Sequence, residues 1–464
     1  MFLCLPSIWA AETPSEKADA LLSGLIQTND PGLAVLVAQD GKILFEKGYG
    51  LADREHNVPV TPQTTFRIGS VTKQFTAAAI LKLQEEGKLS VKDKLSKYIP
   101  DFPRGDEVTL RELLNHTSGI HGYTEEPDFL SRVTNATTSA AIIEEMKTYP
   151  YDFDPGTEWR YDNSGYVLLG YIVDKVSGQS YGDFLRENFF LPLGMMHTGV
   201  YRAHPDLPHE AVGYNLSTNG FRRALDMDSS WLTGCGALYS TVEDLYRWNE
   251  GIFNGRVLDT ASLKAAFTPV KKKVSQLNSD NGYGYGWFIG HTRGLRAISH
   301  GGGLNGFSSW LQRLPDAHLT VAVLVNANPP GTNDNPVLLA SQMVDIYLAD
   351  KLAPPPAVNP NVSPKSYDAL AGHYESALGI MTASRRGAHL FLKSGDEPEV
   401  EIFPESDTEF FIKKTDIQIT FVKDGSGNAV RLIFNYCGMD VVVSRVNVDP
   451  AVYDSPSQSS AAAR

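Results

Sequence analysis

A chain of 464 residues, 42% hydrophobic and 20% charged, has apolar material for two or three domains with cores of their own. Its net charge of -13, with no run rich in Lys or Arg, argues against nucleic acid and acidic membrane surfaces as partners. No apolar stretch reaches the roughly 18 residues of a membrane-crossing helix, and Cys4, Cys235 and Cys437 are too scattered for a zinc site or a disulfide framework. Cys235 and Cys437 could pair, but nothing in the sequence requires it.

Residues 1–11 are apolar and end in small side chains, like the back half of a secretory signal without its basic front. We expect residues 1–12 to be a clipped signal segment and the protein to be exported, to a periplasm or beyond the cell. Thr13-Pro14 then opens a helix to about residue 27. Residues 33–39 and 42–47 read as strands joined by Asp40-Gly41, a strong two-residue hairpin signal.

The stretch Phe66–Phe75 follows, and helix is expected over 71–86, with Gly87 as its stop. Ser70 stands at the helix start and Lys73 one turn above it on the same face. One reading makes Ser70 a helix cap. Lys73 weakens it, since a cation in the first turn opposes the helix dipole and a capping box would place Glu or Gln there. That field, with burial, favours a neutral amine able to take a proton from the serine, and the helix start aims N–H groups at a developing oxyanion. Alone, S-x-x-K is a weak pattern.

Helices are further expected at 110–116, 140–147, 164–177 and 182–190, so the middle of the chain is largely α. From Tyr283 the pattern turns to β: 284–289, 295–300, 307–314 and 319–326, with Pro315-Asp316 as a turn, followed by a helix at 337–348. The early hairpin and this meander should complete one antiparallel sheet flanked by helices, with an all-helical subdomain beside it, an α+β fold. A stiff Pro-rich linker (351–366) precedes short strands at 389–393, 409–413, 417–422, 430–434 and 441–446, expected to form a small all-β barrel domain over 367–450. Residues 451–464 are small and polar, as in disordered tails.

Two other stretches carry chemistry. Tyr161-Asp162-Asn163-Ser164-Gly165 can be read as a turn with a packed tyrosine. Ser299-His300-Gly301-Gly302-Gly303 interrupts a strand pattern with three glycines, marking a bulge or the close approach of another backbone or a ligand. In chain order, S-x-x-K, Y-x-N and H-G-G resemble the signature of the penicillin-binding protein and serine β-lactamase superfamily. The resemblance is closest to the class C β-lactamase branch, with its peptidase S12-type hydrolases, D-aminopeptidases and family VIII carboxylesterases. Leu113–Gly119 and Gly236–Leu245 look like further family phrases, and the likeness covers roughly residues 13–350. The segment after the linker resembles the lipocalin-like module that some of these hydrolases carry.

The resemblance implies that Ser70 is the acyl-accepting nucleophile, that Lys73 assists its deprotonation, and that Tyr161 exchanges protons with the leaving group. Asn163 would orient Lys73 and the substrate amide. His300, Gly301 and Gly302 would line the far wall of the groove, and the N–H groups of Ser70 and Gly303 would form the oxyanion hole. It implies no cofactor and no metal, a small ester, amide or peptide as partner, and allows a homo-oligomer. No G-x-S-x-G is present for the rival Ser-His-Asp chemistry. His300 stands where the strict signature has Lys. A histidine of ordinary pKa near 6.5 is mostly neutral at pH 7 and supplies no permanent cation for a substrate carboxylate. The expectation is therefore an esterase or peptidase with at most weak β-lactam turnover; the other reading is a non-catalytic relative that binds acyl ligands or serves as a scaffold.

Overall fold

The computed structural model describes residues 12–446 apart from positions 202–206, 208, 218–219, 271–280, 329–334, 377–378, 395–398, 414–416 and 437–438. The expected signal and tail, and Cys4 and Cys437, lie outside the described residues; Cys235 is buried as a free thiol.

A seven-stranded antiparallel sheet forms the frame. Its strands are β1 (Leu33–Gln39), β2 (Lys42–Tyr49), β3 (Gly282–Tyr283), β4 (Phe288–Thr292), β5 (Leu295–Leu304), β6 (Phe307–Leu314) and β7 (Leu319–Val325), in the order β3-β4-β5-β6-β7-β1-β2. The N-terminal hairpin thus completes the sheet of the late meander. β7 is buried along its whole length and β1 along nearly all of it, which explains sequences that are apolar but for Thr320 and Gln39. One face is covered by α1 (Pro14–Leu25) and by Pro336–Tyr347. The other carries the larger core with α2 (Thr72–Glu85), α3 (Leu110–Leu114), α4 (Ser139–Met146), α5 (Ser164–Ser177) and α6 (Val242–Phe253). α1 opens with a full capping box between Thr13 and Glu16. α2 ends as expected: Gly87 has φ +69°, its N–H reaches Gln84 O, and Lys88 N–H reaches Leu83 O.

Several boundaries differ from the sequence expectation. Of the strand expected at 284–289 only Phe288 and Ile289 are strand, the start of β4; residues 284–287 form the turn between β3 and β4. Gly286 has φ +84° and packs on the backbone of Lys73, while a Cβ on Gly284 would lie 1.9 Å from Ala266 O, so this is a tight turn against other backbone. The strand expected at 295–300 continues through all three glycines to Leu304 with unbroken register; the glycines mark close approach, not a bulge. The helix expected at 182–190 is helical only over Tyr181–Leu185 and passes into a π turn, Arg186–Phe190. α6 was not anticipated, although Thr241 caps it with Asp244 N–H and Val242, Leu245, Trp248 and Ile252 keep helical spacing. Its Trp248 stacks on Phe75 of α2 at 4.0 Å between ring centres.

Beyond Pro336–Tyr347 a closed eight-stranded barrel forms from β8 (Gly372–Ser376), β9 (Gly379–Arg386), β10 (His389–Ser394), β11 (Val400–Pro404), β12 (Glu409–Phe411), β13 (Gln418–Lys423), β14 (Ala429–Tyr436) and β15 (Met439–Val446). Every strand pairs with its chain neighbours and β15 returns to β8, so no edge remains, which fits a lipocalin-like module. β8, β9 and β11 are strands that the sequence did not announce. The barrel's strand β15 packs against β3 and β4, and Leu338 joins the barrel core. Among the described residues no helix is long and apolar enough to cross a membrane.

Candidate active site

Ser70 does not cap the helix. It lies in a 3-10 turn, Gly69–Val71, that leads into α2, and neither helical start has a side-chain cap bond. Gly69 takes φ +49° to enter that turn. The free hydroxyl instead meets Lys73 Nζ at 3.0 Å. Ser70 is half-buried, whereas Lys73 has 0% exposure. A buried amine must be fully hydrogen-bonded, and this one is: besides Ser70 it reaches Asn163 Oδ1 at 2.8 Å and Cys235 O at 3.0 Å. The rings of Tyr161 and Tyr166 lie 4.8 and 5.5 Å from Nζ.

The side-chain acceptor is held in turn. Asn163 immediately precedes α5, and its Nδ2 donates to Thr124 Oγ1 at 3.0 Å, which turns Oδ1 toward Lys73. Two residues earlier, Tyr161 packs between Lys73 and a group of rings: His116 at 4.4 Å, Tyr283 at 6.1 Å, His300 at 6.2 Å and Phe288 at 6.5 Å. His116 is fully buried with Nδ1 3.3 Å from Asp162 Oδ2, and burial holds its pKa below the ordinary value.

β5 forms the opposite side. A Cβ on Gly302 would lie 2.0 Å from Ile68 O and 2.9 Å from Ser70 N, and one on Gly69 would lie 3.0 Å from Gly303 O. Glycine alone lets the strand touch the turn that carries Ser70. The register decides where the strand's polar groups point. Leu304↔Phe307 and Leu295↔Thr292 each close a two-residue hairpin and so must exchange both hydrogen bonds. Residues 300, 302 and 304 therefore bond to β6, and 295, 297 and 299 to β4. β4 ends opposite Ser299. Gly301 and Gly303 then direct their N–H and C=O groups to an edge that no strand covers, and Gly303 is exposed there.

His300 is buried, 1% exposed, and does not present its ring to solvent on the groove wall. Its Nδ1 lies 2.6 Å from Gly301 O and its Nε2 2.9 Å from the Tyr283 hydroxyl. Burial, with the Lys73 charge second, pushes its pKa down to about 3. The ring is neutral at physiological pH, and since a carbonyl can only accept, Nδ1 carries the hydrogen and Tyr283 donates to Nε2.

Ser70, Lys73, Tyr161, Asn163 and the strand at Gly302 and Gly303 thus meet at one place, with His300 and Gly301 next to it. Sequence reasoning did not single out Thr124, Tyr283, His116 or the Cys235 carbonyl. His116 lies inside the stretch Leu113–Gly119 already marked as a family phrase; a main-chain carbonyl leaves no sequence signal. Among the described residues no group of three or more His, Cys, Asp or Glu side chains could hold a metal ion.

The sequence model of the Beta-lactamase family matches residues 18–342. Penicillin-binding protein 4* of Bacillus subtilis (strain 168) is 30% identical over 418 residues, which span 83% of this chain and 89% of the relative. Among solved structures, the octameric penicillin-binding protein homologue from Pyrococcus abyssi superposes with a TM-score of 0.64 at 25% identity, covering 92% of this chain and 99% of its own. A D-stereospecific amidohydrolase from Streptomyces sp. superposes with a TM-score of 0.63 at 26% identity, covering 72% and 99%.

Proposed function

Because the chain belongs to the Beta-lactamase family, we propose that it is a serine hydrolase that passes an acyl group from an ester or amide to Ser70 and then to water. We read residues 13–350 as the hydrolase domain and 367–450 as an appended barrel domain of an exported protein. The observation that carries the mechanism is the set of partners around Lys73 Nζ. Asn163 Oδ1 and Cys235 O can only accept. In its neutral form the amine has two hydrogens for them and one lone pair, which is left for the Ser70 hydroxyl. Lys73 takes the Ser70 proton as the oxygen attacks, and Tyr161, against the same amine, exchanges it with the leaving group. The N–H groups of Ser70 and Gly303 receive the oxyanion.

The neutral, buried His300 gives a substrate carboxylate no cation, which argues for esters, amides and aminopeptidase-type substrates over penicillins and D-Ala-D-Ala peptides. The likeness to a D-stereospecific amidohydrolase supports amides of D-configured acyl groups. The octameric homologue supports a homo-oligomer, which light scattering would measure. The test is a side-by-side assay of short p-nitrophenyl esters, D-amino acid amides and nitrocefin, with wild type and Ser70→Ala. Esters or amides should be hydrolysed faster, and only with Ser70 present. Faster nitrocefin hydrolysis refutes the substrate assignment, and failure of a fluorophosphonate to label Ser70 favours the non-catalytic binder.

A further inference from the structure

The strand edge beside Ser70 offers two residues for pairing with an extended substrate, Gly303 and Gly301, and the two are not equivalent. In the proposed reaction the scissile carbonyl accepts from Gly303 N–H. If the same substrate residue also donates its N–H to Gly303 C=O, the two exchange both bonds, which is antiparallel pairing. Antiparallel register then sets Gly301 opposite the residue two positions beyond the acyl residue, on the leaving-group side. The N–H of that residue would need the Gly301 carbonyl. That carbonyl already accepts a short bond from His300 Nδ1–H at 2.6 Å, which uses one of its two lone pairs, and His300 is held in the donating tautomer by the Tyr283 hydroxyl at 2.9 Å. Both side chains are buried, so water does not compete for the chain of bonds.

We propose that Tyr283 and His300 form a cap on the Gly301 carbonyl that closes the leaving-group side of the groove to extended peptide, so that the enzyme favours substrates with small leaving groups such as ammonia, simple amines or short alcohols. Tyr283 is a positioning residue here, acting through His300. The inference rests on the hydrolase reading above and assigns the substrate class within it. A leaving peptide meets an acceptor that already holds one short bond and can offer only its second lone pair beside the His300 ring, and a poorly paired polar group in a groove is where hydrogen-bonding sites discriminate most.

The test compares kcat/KM for D-phenylalanine amide with that for D-phenylalanyl-glycyl-glycine amide, which carries an N–H two residues past the acyl group. Wild type should prefer the simple amide. The double variant Tyr283→Phe/His300→Phe keeps two aromatic rings and removes both polar partners together, a change that buried sites tolerate better than loss of one. It should shift the ratio toward the longer substrate by about tenfold, and Tyr283→Phe alone should shift it less. The ratio is taken on one preparation, so partial misfolding cancels. An unchanged ratio, or a shift toward the simple amide, overturns the cap. Absence of Ser70 labelling by a fluorophosphonate in wild type would instead strike the hydrolase reading beneath it.

Discussion

Two interiors of this molecule, both sealed from water, are filled in opposite ways. Below the groove lie Lys73, His116, Asp162, Ser164 and His300, all buried. Inside the barrel lie Tyr374, Leu390, Phe410, Ile419, Phe421, Leu432 and Val443. The barrel rings pack edge to face, Phe410 on Phe421 at 5.6 Å and Phe421 against Tyr374 at 5.9 Å, and the Tyr374 hydroxyl is satisfied by Leu370 O. The first interior holds groups whose burial is costly and compensates with hydrogen bonds; the second gains stability from apolar area and close packing. Chemistry belongs to the first, because acyl transfer needs donors and a base oriented before the substrate arrives.

The sharpest way to break this comparison is Ser70→Ala, which should lower kcat by about 10⁴-fold or more while leaving the free energy of unfolding within about 0.5 kcal/mol of wild type. Steady-state assays and urea unfolding check both halves. A variant that stayed active would move the chemistry elsewhere.

Phe421→Ala is the mirror experiment. It removes a buried ring and should cost about 3–5 kcal/mol in the barrel with kcat of the folded enzyme unchanged. All six tryptophans lie at or before Trp310. Their fluorescence therefore reports the hydrolase part alone, whereas far-UV circular dichroism sees both. The two transitions should separate in the variant, and coincidence would mean that sheet and barrel unfold as one unit.

Asn163→Ala should act more mildly, by about 10²-fold in kcat, because Lys73 keeps Ser70 and Cys235 O but loses the acceptor that helps to aim its lone pair. A rise in KM without a fall in kcat would place Asn163 in substrate binding alone.

What could be read from the sequence follows the same division. Ser70, Lys73, Tyr161 and Asn163 were legible because proton transfer needs specific side chains at fixed spacing. The frame sheet was legible because its two-sided burial writes nearly continuous apolar runs at 33–39 and 319–325. The barrel was half legible. Its short strands alternate weakly, and β8, β9 and β11 were not picked out even though Gly387 closes β9 and Gly395 and Pro398 precede β11. The cap on Gly301 was not legible: it depends on one imidazole bonding to the carbonyl of the next residue, and on a tyrosine two strands away in the sheet, beyond the turn at Gly284–Trp287. His300 was rightly read as no cation, but for too mild a reason, since burial drives it well below the ordinary histidine range.

That burial gives the smallest and most specific prediction. His300 binds no proton in the folded state until pH falls to about 3, whereas in the unfolded chain it protonates near 6.5. Between those values the unfolded state holds the extra proton, so stability is fully present above about pH 6.5 and declines as pH falls toward 3. His116, also held below its usual value by burial, adds in the same direction. His300 contributes a slope of up to about 1.4 kcal/mol per pH unit in that window. The barrel core has no such group among its described residues, so acid should loosen the hydrolase part first. Tryptophan-detected urea unfolding from pH 7 to 4 should show the slope, and Tyr283→Phe/His300→Phe should reduce it by the share of one histidine. A slope untouched by that variant would mean that His300 is protonated in the folded protein, and with it the argument that the groove lacks a cation would fall.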